Sequence, residues 1–133
     1  MEILKQLSIL AANQPGILAN ICGSLSDEKI NIIGISVVDH VDHALIRLVV
    51  DKPTRAVHLL GEAGLPIIEG DVLRINISEG PGALEKIANA LGEDGLNIDY
   101  VYATEPKSGK ITNLIIKTSD NERAEKILKK IMP

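Results

Sequence analysis

Two short segments carry the residue types best suited to chemistry in this chain. Asn13-Gln14-Pro15-Gly16-Ile17-Leu18 and Glu79-Gly80-Pro81-Gly82-Ala83-Leu84 each set a Pro-Gly pair behind a polar residue and ahead of a leucine. Glycine has no side chain, so a ligand can come close to the backbone at Gly16 and Gly82. A helix opening at such a turn presents amides without intrahelical partners and a partial positive charge. A carboxylate gains about 0.3–1 kcal/mol there from the dipole, in addition to direct hydrogen bonds. Asn13 can donate and accept, so it suits either end of an α-amino acid, whereas an ionised Glu79 only accepts and favours an ammonium. Two unlike sites are expected, with the first turn the better one for an α-amino acid. The candidate ligand-binding residues are Asn13, Gln14, Gly16, Ile17, Leu18, Glu79, Gly80, Gly82, Ala83 and Leu84. Pro-Gly is also sound turn chemistry in its own right, which leaves a purely structural role open.

The two segments belong to a longer repeat. Residues 15–32 (PGILANICGSLSDEKINI) align without a gap on residues 81–98 (PGALEKIANALGEDGLNI) at a constant shift of 66, with seven of eighteen positions identical. Such agreement at a fixed period marks an internal duplication.

The elements that must hold the turns can be read from the periodicity. Residues 2–11 alternate as a strand, and 16–28 form an amphipathic helix with Pro15 at its mouth. Residues 30–39 and 44–50 make two strands around the polar turn His40–His43. A helix opens at Pro53 and ends near Gly61 and Gly64, and a fourth strand starts at Pro66. That strand runs without a linker into residues 72–77, the first strand of the second copy. A helix at 82–94, strands at 96–105 and 110–118 around a turn at Pro106–Gly109, and a helix at 120–131 follow. Ser119 and Glu122 predict a capping box for the last helix. The expected fold is α+β: two ferredoxin-like βαββαβ modules in tandem, residues 1–70 and 71–133, with antiparallel sheets and helices on one face. The second module lacks its last strand. Residues 72–77 would then present an unpaired edge, to be covered by strands of the first copy or by a second chain. A homodimer is expected on that ground.

Composition narrows the function. The chain has 133 residues, 45% of them hydrophobic, with no Phe or Trp and two Tyr, so its core is aliphatic. A net charge of −4 argues against a nucleic-acid binder, which would carry a basic patch and stacking aromatics. The single Cys forms no internal disulfide and fits a reducing cytoplasm. No signal peptide and no apolar run long enough for a bilayer is apparent, so no membrane partner is expected. No nucleophile elbow, phosphate loop, zinc-protease helix or dinucleotide fingerprint occurs, and no enzymatic activity and no cofactor is expected.

The strand ending in Asn13-Gln14-Pro15-Gly16-Ile17-Leu18, the helix after it, and the strand entry Ile30-Asn31-Ile32 resemble the ACT domain, whose hallmark is an Asp/Asn-x-Pro-Gly-x-Leu turn followed by Gly-x-Asn-Ile. Lys29 replaces the glycine in the first copy, and Glu79 replaces the Asp/Asn in the second, which keeps Gly95-Leu96-Asn97-Ile98 intact. The resemblance spans essentially the whole chain. It implies a stand-alone tandem regulatory protein that binds a small amino acid at a Pro-Gly turn together with a module or subunit interface, and so modulates a metabolic enzyme. One alternative is a regulatory subunit acting by docking alone, similar to the acetolactate synthase small subunit. Another is a metal-responsive protein using Asp39, His40, Asp42 and His43, although a tight hairpin tip cannot easily turn all four toward one ion. Tyr100 and Tyr102 share a strand face with Ile98 and could line an interface or close over a ligand. Cys22, on the apolar helix face, reads as a small buried residue.

Overall fold

The computed structural model describes residues 1–78, 80–104 and 111–132. Glu79 and the turn expected at Pro106–Gly109 lie outside the described residues. Six strands and four helices occur among the described residues: β1 (Glu2–Ala12), α1 (Ile17–Asp27), β2 (Ile32–His40), β3 (His43–Val50), α2 (Pro53–Glu62), β4 (Ile67–Ser78), α3 (Ala83–Glu93), β5 (Ile98–Thr104), β6 (Ile111–Thr118) and α4 (Asn121–Ile131). The chain forms two compact units. One is Lys5–Gly70, and the other joins Asp71–Pro133 with Met1–Leu4.

In the Lys5–Gly70 unit the strand order is β2-β3-β1-β4. β3 pairs antiparallel with both β1 and β2. Leu7 and Ile9 of β1 and Ile46 and Leu48 of β3 pack with Ile21 and Leu25 of α1 and Ala56 and Leu60 of α2. Burying each such aliphatic side chain is worth about 1.5–3 kcal/mol. This is the fourth-first-third-second order of a βαββαβ module.

The second unit reaches the same order by another route. β6 pairs antiparallel with β4 and with β5. The place beside β4 that a last strand would fill is taken by the start of β1. The Glu2 carboxylate accepts from the Arg74 guanidinium, and Met1 and Ile3 pack against the cluster of Leu73, Ile75, Ile87, Leu91, Ala124 and Leu128. Of the two coverings expected for the edge at residues 72–77, a strand of the first copy is the one present. Met1–Leu4 supplies the strand that the second copy lacks.

The duplication extends to local devices. Each of the repeated helices α1 and α3 closes with a residue in the left-handed region, Lys29 (φ 56°) and Gly95 (φ 73°). The next amides, Ile30 and Leu96, reach back five residues to the carbonyls of Leu25 and Leu91. These are paired Schellman ends, in which glycine is the usual occupant. Arg55 bonds the carboxylate of Glu28, and Arg123 bonds the main-chain carbonyl of Asp94, the position equivalent to Glu28. The hydrogen bond and charge of Glu28 hold the Arg55 pKa above its ordinary value. A register shift interrupts β2 between Ile32 and Gly34 and β5 between Ile98 and Tyr100.

Two local expectations change. The start of α4 is capped by Asp120, whose carboxylate accepts from the Arg123 amide, rather than by Ser119. The irregularity in β5 sends Ile98 to the packed face with the second core, while Tyr100 and Tyr102 stay together on the other face opposite Lys117 and Ile115. Their rings stack with centroids 6.5 Å apart and an interplanar angle of 11°.

Candidate functional site

Both Pro-Gly pairs sit where a strand hands over to a helix. Gly16 (φ 88°, ψ −10°) and Gly82 (φ 93°, ψ −9°) precede the first residues of α1 and α3. These angles belong to the third position of a type II turn, where proline suits the position before and glycine is needed for the positive φ. At the first turn the closing bond is present: the Ile17 amide donates to the Gln14 carbonyl at 3.4 Å. Steric demand is not the reason for glycine, because a Cβ at either position would meet nothing within 4 Å. In α3 the first amide to find a helical acceptor is that of Lys86, which donates to the Gly82 carbonyl. The amides of Ala83, Leu84 and Glu85 precede it and have no intrahelical acceptor.

Around glycines of nearly the same angles the neighbours differ, beginning with Gly80 (φ 138°) in the position of Gln14. A cavity of about 730 Å³ opens at the second turn, lined by Gly80, Pro81, Gly82 and Ala83 of the turn, Ile75, Asn76, Ile77 and Ser78 of β4, Lys86 and Ile87 of α3, Ile131 and Met132 at the end of α4, and Met1. All of it lies in the second unit. Its wall mixes the apolar side chains of Met1, Ile77, Ile131 and Met132 with the polar ones of Asn76, Ser78 and Lys86, the last one helical turn beyond Gly82. Such a site can hold an anionic head near the α3 amides and Lys86, and an apolar body against Ile77, Ile131 and the methionines.

At the first turn Ile17, equivalent to Ala83, is half-buried and packs against the first core. Asn13 is engaged as well. Its amide nitrogen donates to Asp39 Oδ1 at 2.8 Å and to the Val41 carbonyl at 2.9 Å, and its main-chain N–H donates to the Asp42 carbonyl at 3.0 Å. Asp39 Oδ1 also accepts from the Val41 amide at 2.9 Å. Asn13 thus pins the β2–β3 hairpin tip. The expectation put the better site at the first turn; the described cavity lies at the second.

Gly80, Gly82 and Ala83 thus line the cavity, while Asn13 and Ile17 are tied into the first unit. Gln14 closes its turn, and Leu18 and Leu84 occupy equivalent positions with 41% and 43% of their surface exposed. Sequence reading missed Lys86, Asn76, Met1, Ile131 and Met132. Lys86 was findable, since it stands four residues after Gly82 on a predicted helix. Met1 and Met132 were not, because one arrives on the borrowed strand and the other at the end of α4, both far in sequence from the turn. At the hairpin tip no three His, Cys, Asp or Glu side chains converge in metal-binding geometry among the described residues, and Asp39 is already bonded. Cys22 is half-buried rather than enclosed. No helix among the described residues is long and apolar enough to cross a membrane.

Two βαββαβ-ordered units, each with a Pro-Gly turn between its first strand and first helix, define a paired ACT architecture. The chain belongs to the ACT domain pair family, which it matches over residues 1–132. Among solved structures it is similar to protein BT0572 from Bacteroides thetaiotaomicron, with 28% identity, 96% of this chain and 88% of that one covered, and a TM-score of 0.89. The regulatory subunit of aspartate kinase from Thermus thermophilus, in a ligand-free form, shares the fold at 17% identity, covering 100% and 99% of the two chains with a TM-score of 0.70. The corresponding subunit from Thermus flavus shares it at 21% identity, covering 97% and 94%, with a TM-score of 0.64. No curated protein matches the sequence.

Proposed function

We propose that this chain is a non-catalytic regulatory protein that binds a small amino acid at its Pro-Gly turns and thereby modulates a metabolic enzyme allosterically. The observation that carries this reading is the cavity at the second turn, where α3 amides and Lys86 offer positive charge beside the apolar side chains of Ile77, Ile131, Met1 and Met132. Family membership and the fold shared with regulatory subunits of aspartate kinase support the same reading. Ligand binding stabilises one arrangement of the protein and its partner, by no more than the difference in its affinity for the two arrangements. A homodimer and a cytoplasmic location are part of the proposal. With the β4 edge covered, the argument for a dimer moves to the outer strand β2, where Ile35 and Val37 remain exposed.

Thermal unfolding of the purified chain with each of the twenty amino acids tests the ligand. At a hundredfold excess over Kd, stabilisation of about 2.7 kcal/mol is expected for the correct one. Silence with all twenty would leave the second reading, docking without a ligand. The exposed leucines Leu18 and Leu84 favour that alternative, since equivalent apolar side chains are presented by both copies.

A further inference from the structure

Between the two turns the glycine angles agree closely while the neighbouring residues do not, and several differences among the described residues bear on whether a ligand can enter. Ala83 stands where the first copy has Ile17, which is packed into its core, so the larger side chain occupies space that alanine leaves vacant. Lys86 stands where the first copy has Asn20, exchanging a neutral residue for a cation one turn into the helix. The polar head of the first turn, Asn13, has both amide protons committed to the hairpin tip. The second cavity is completed by Met1 and Met132, the only methionines in the chain. Thioether side chains are flexible and polarisable, and they adapt their shape to an apolar guest.

We infer that the chain takes one amino acid per copy of itself, at the second turn only, and that its ligand has an apolar side chain of the leucine, isoleucine, valine or methionine class. This rests on the amino-acid-binding reading above and adds which copy binds and what it selects. The ligand carboxylate lies toward Lys86 and the first α3 amides, and its side chain lies against the partly exposed Ile77, Ile131 and the two methionines. A cationic side chain would be placed against that wall with its charge desolvated, and an acidic one would leave its second carboxylate there, so both are selected against.

Titration calorimetry of the full chain with leucine, lysine, aspartate and 4-methyl-2-oxopentanoate tests this. Leucine should bind with a stoichiometry of one per chain and at least tenfold more tightly than lysine or aspartate. Ala83→Ile, which installs the first-copy residue at the second turn, should weaken leucine binding more than tenfold. Lys86→Gln, at an exposed position with no core to disturb, should weaken it about tenfold, in line with losing a charge-assisted hydrogen bond. Asn13→Ala should leave affinity within twofold. Two sites per chain, a preference for lysine or aspartate, or binding that survives both second-turn variants overturns the inference while leaving the regulatory reading in place. Equal binding of the oxo acid overturns the amino-acid assignment in favour of a general apolar carboxylate. No heat with leucine, lysine or aspartate, together with no thermal shift from any of the twenty amino acids, defeats the underlying reading instead.

Discussion

The first and second Pro-Gly turns share glycine angles within 5° in φ, yet one is knitted into its own unit and the other borders a cavity. What duplication preserved is the scaffold. Both copies keep the left-handed helix end, the arginine that grips the residue before it, the interruption early in the second strand, and the fully buried pairs Ala56 with Leu60 and Ala124 with Leu128. What it released is the side chains at the mouth of the turn. On the proposed reading, fold and site reside in different positions of the same repeat: stability in the helix and strand interiors, and selectivity in Ala83, Lys86 and the borrowed Met1.

That division can be broken at several points. Deleting residues 1–4 should have the largest effect, because the second unit loses its fourth strand, the Glu2–Arg74 pair and the packing of Met1 and Ile3. A loss on the order of 3 kcal/mol is expected. Hydrogen exchange should show amides of 72–77 losing protection while those of 44–50 keep it; equal loss in both would mean the units do not fold as drawn. Next, Ile17→Ala should cost about 1–2 kcal/mol by leaving a gap in the first core, whereas Ala83→Ile should change stability by less than about 0.5 kcal/mol because its side chain enters open space. Denaturant melts of the two variants give the comparison directly, and equal costs would erase the distinction between the turns.

Asn13→Ala removes two hydrogen bonds from the hairpin tip and should cost about 1.5 kcal/mol, read as faster exchange of the Val41 amide. Lys29→Gly should gain about 1 kcal/mol by relieving a non-glycine residue in the left-handed region, and Gly95→Lys should lose a similar amount. No atom lies within 4 Å of a Cβ at residue 95, so the second change isolates backbone strain. A destabilising Lys29→Gly would show that a contact of the Lys29 side chain outweighs the backbone strain, since the carbonyl that accepts from Lys52 Nζ is kept by glycine.

Most of the architecture was legible because it is written in local periodicity. The Pro-Gly turns, the four helices and the succession of strands along the chain follow from spacing that a single segment carries. The misses share a cause: each depends on residues far apart in sequence. Met1–Leu4 reads as the plain start of a strand, and nothing local reveals that it serves the second copy rather than the first. Asn13 has the right chemistry for an amino acid, and only the return of the chain at Asp39 and Val41 reveals what it bonds. Asp120 outcompetes Ser119 as the α4 cap by one residue, a difference below what a capping motif can resolve. The interruption after Ile98 reverses its face, which alternation alone cannot anticipate.

The central claim is that the second turn, and not the first, accepts an apolar amino acid. Methionine methyl NMR tests it with little ambiguity, since the chain has two methionines and both line the cavity. With methyl-labelled methionine and 15N, titrating leucine should move both methyl signals and the amides of Ala83–Lys86, leaving Ile17–Asn20 unchanged. Shifts confined to residues 13–20, with both methyl signals stationary, would contradict it.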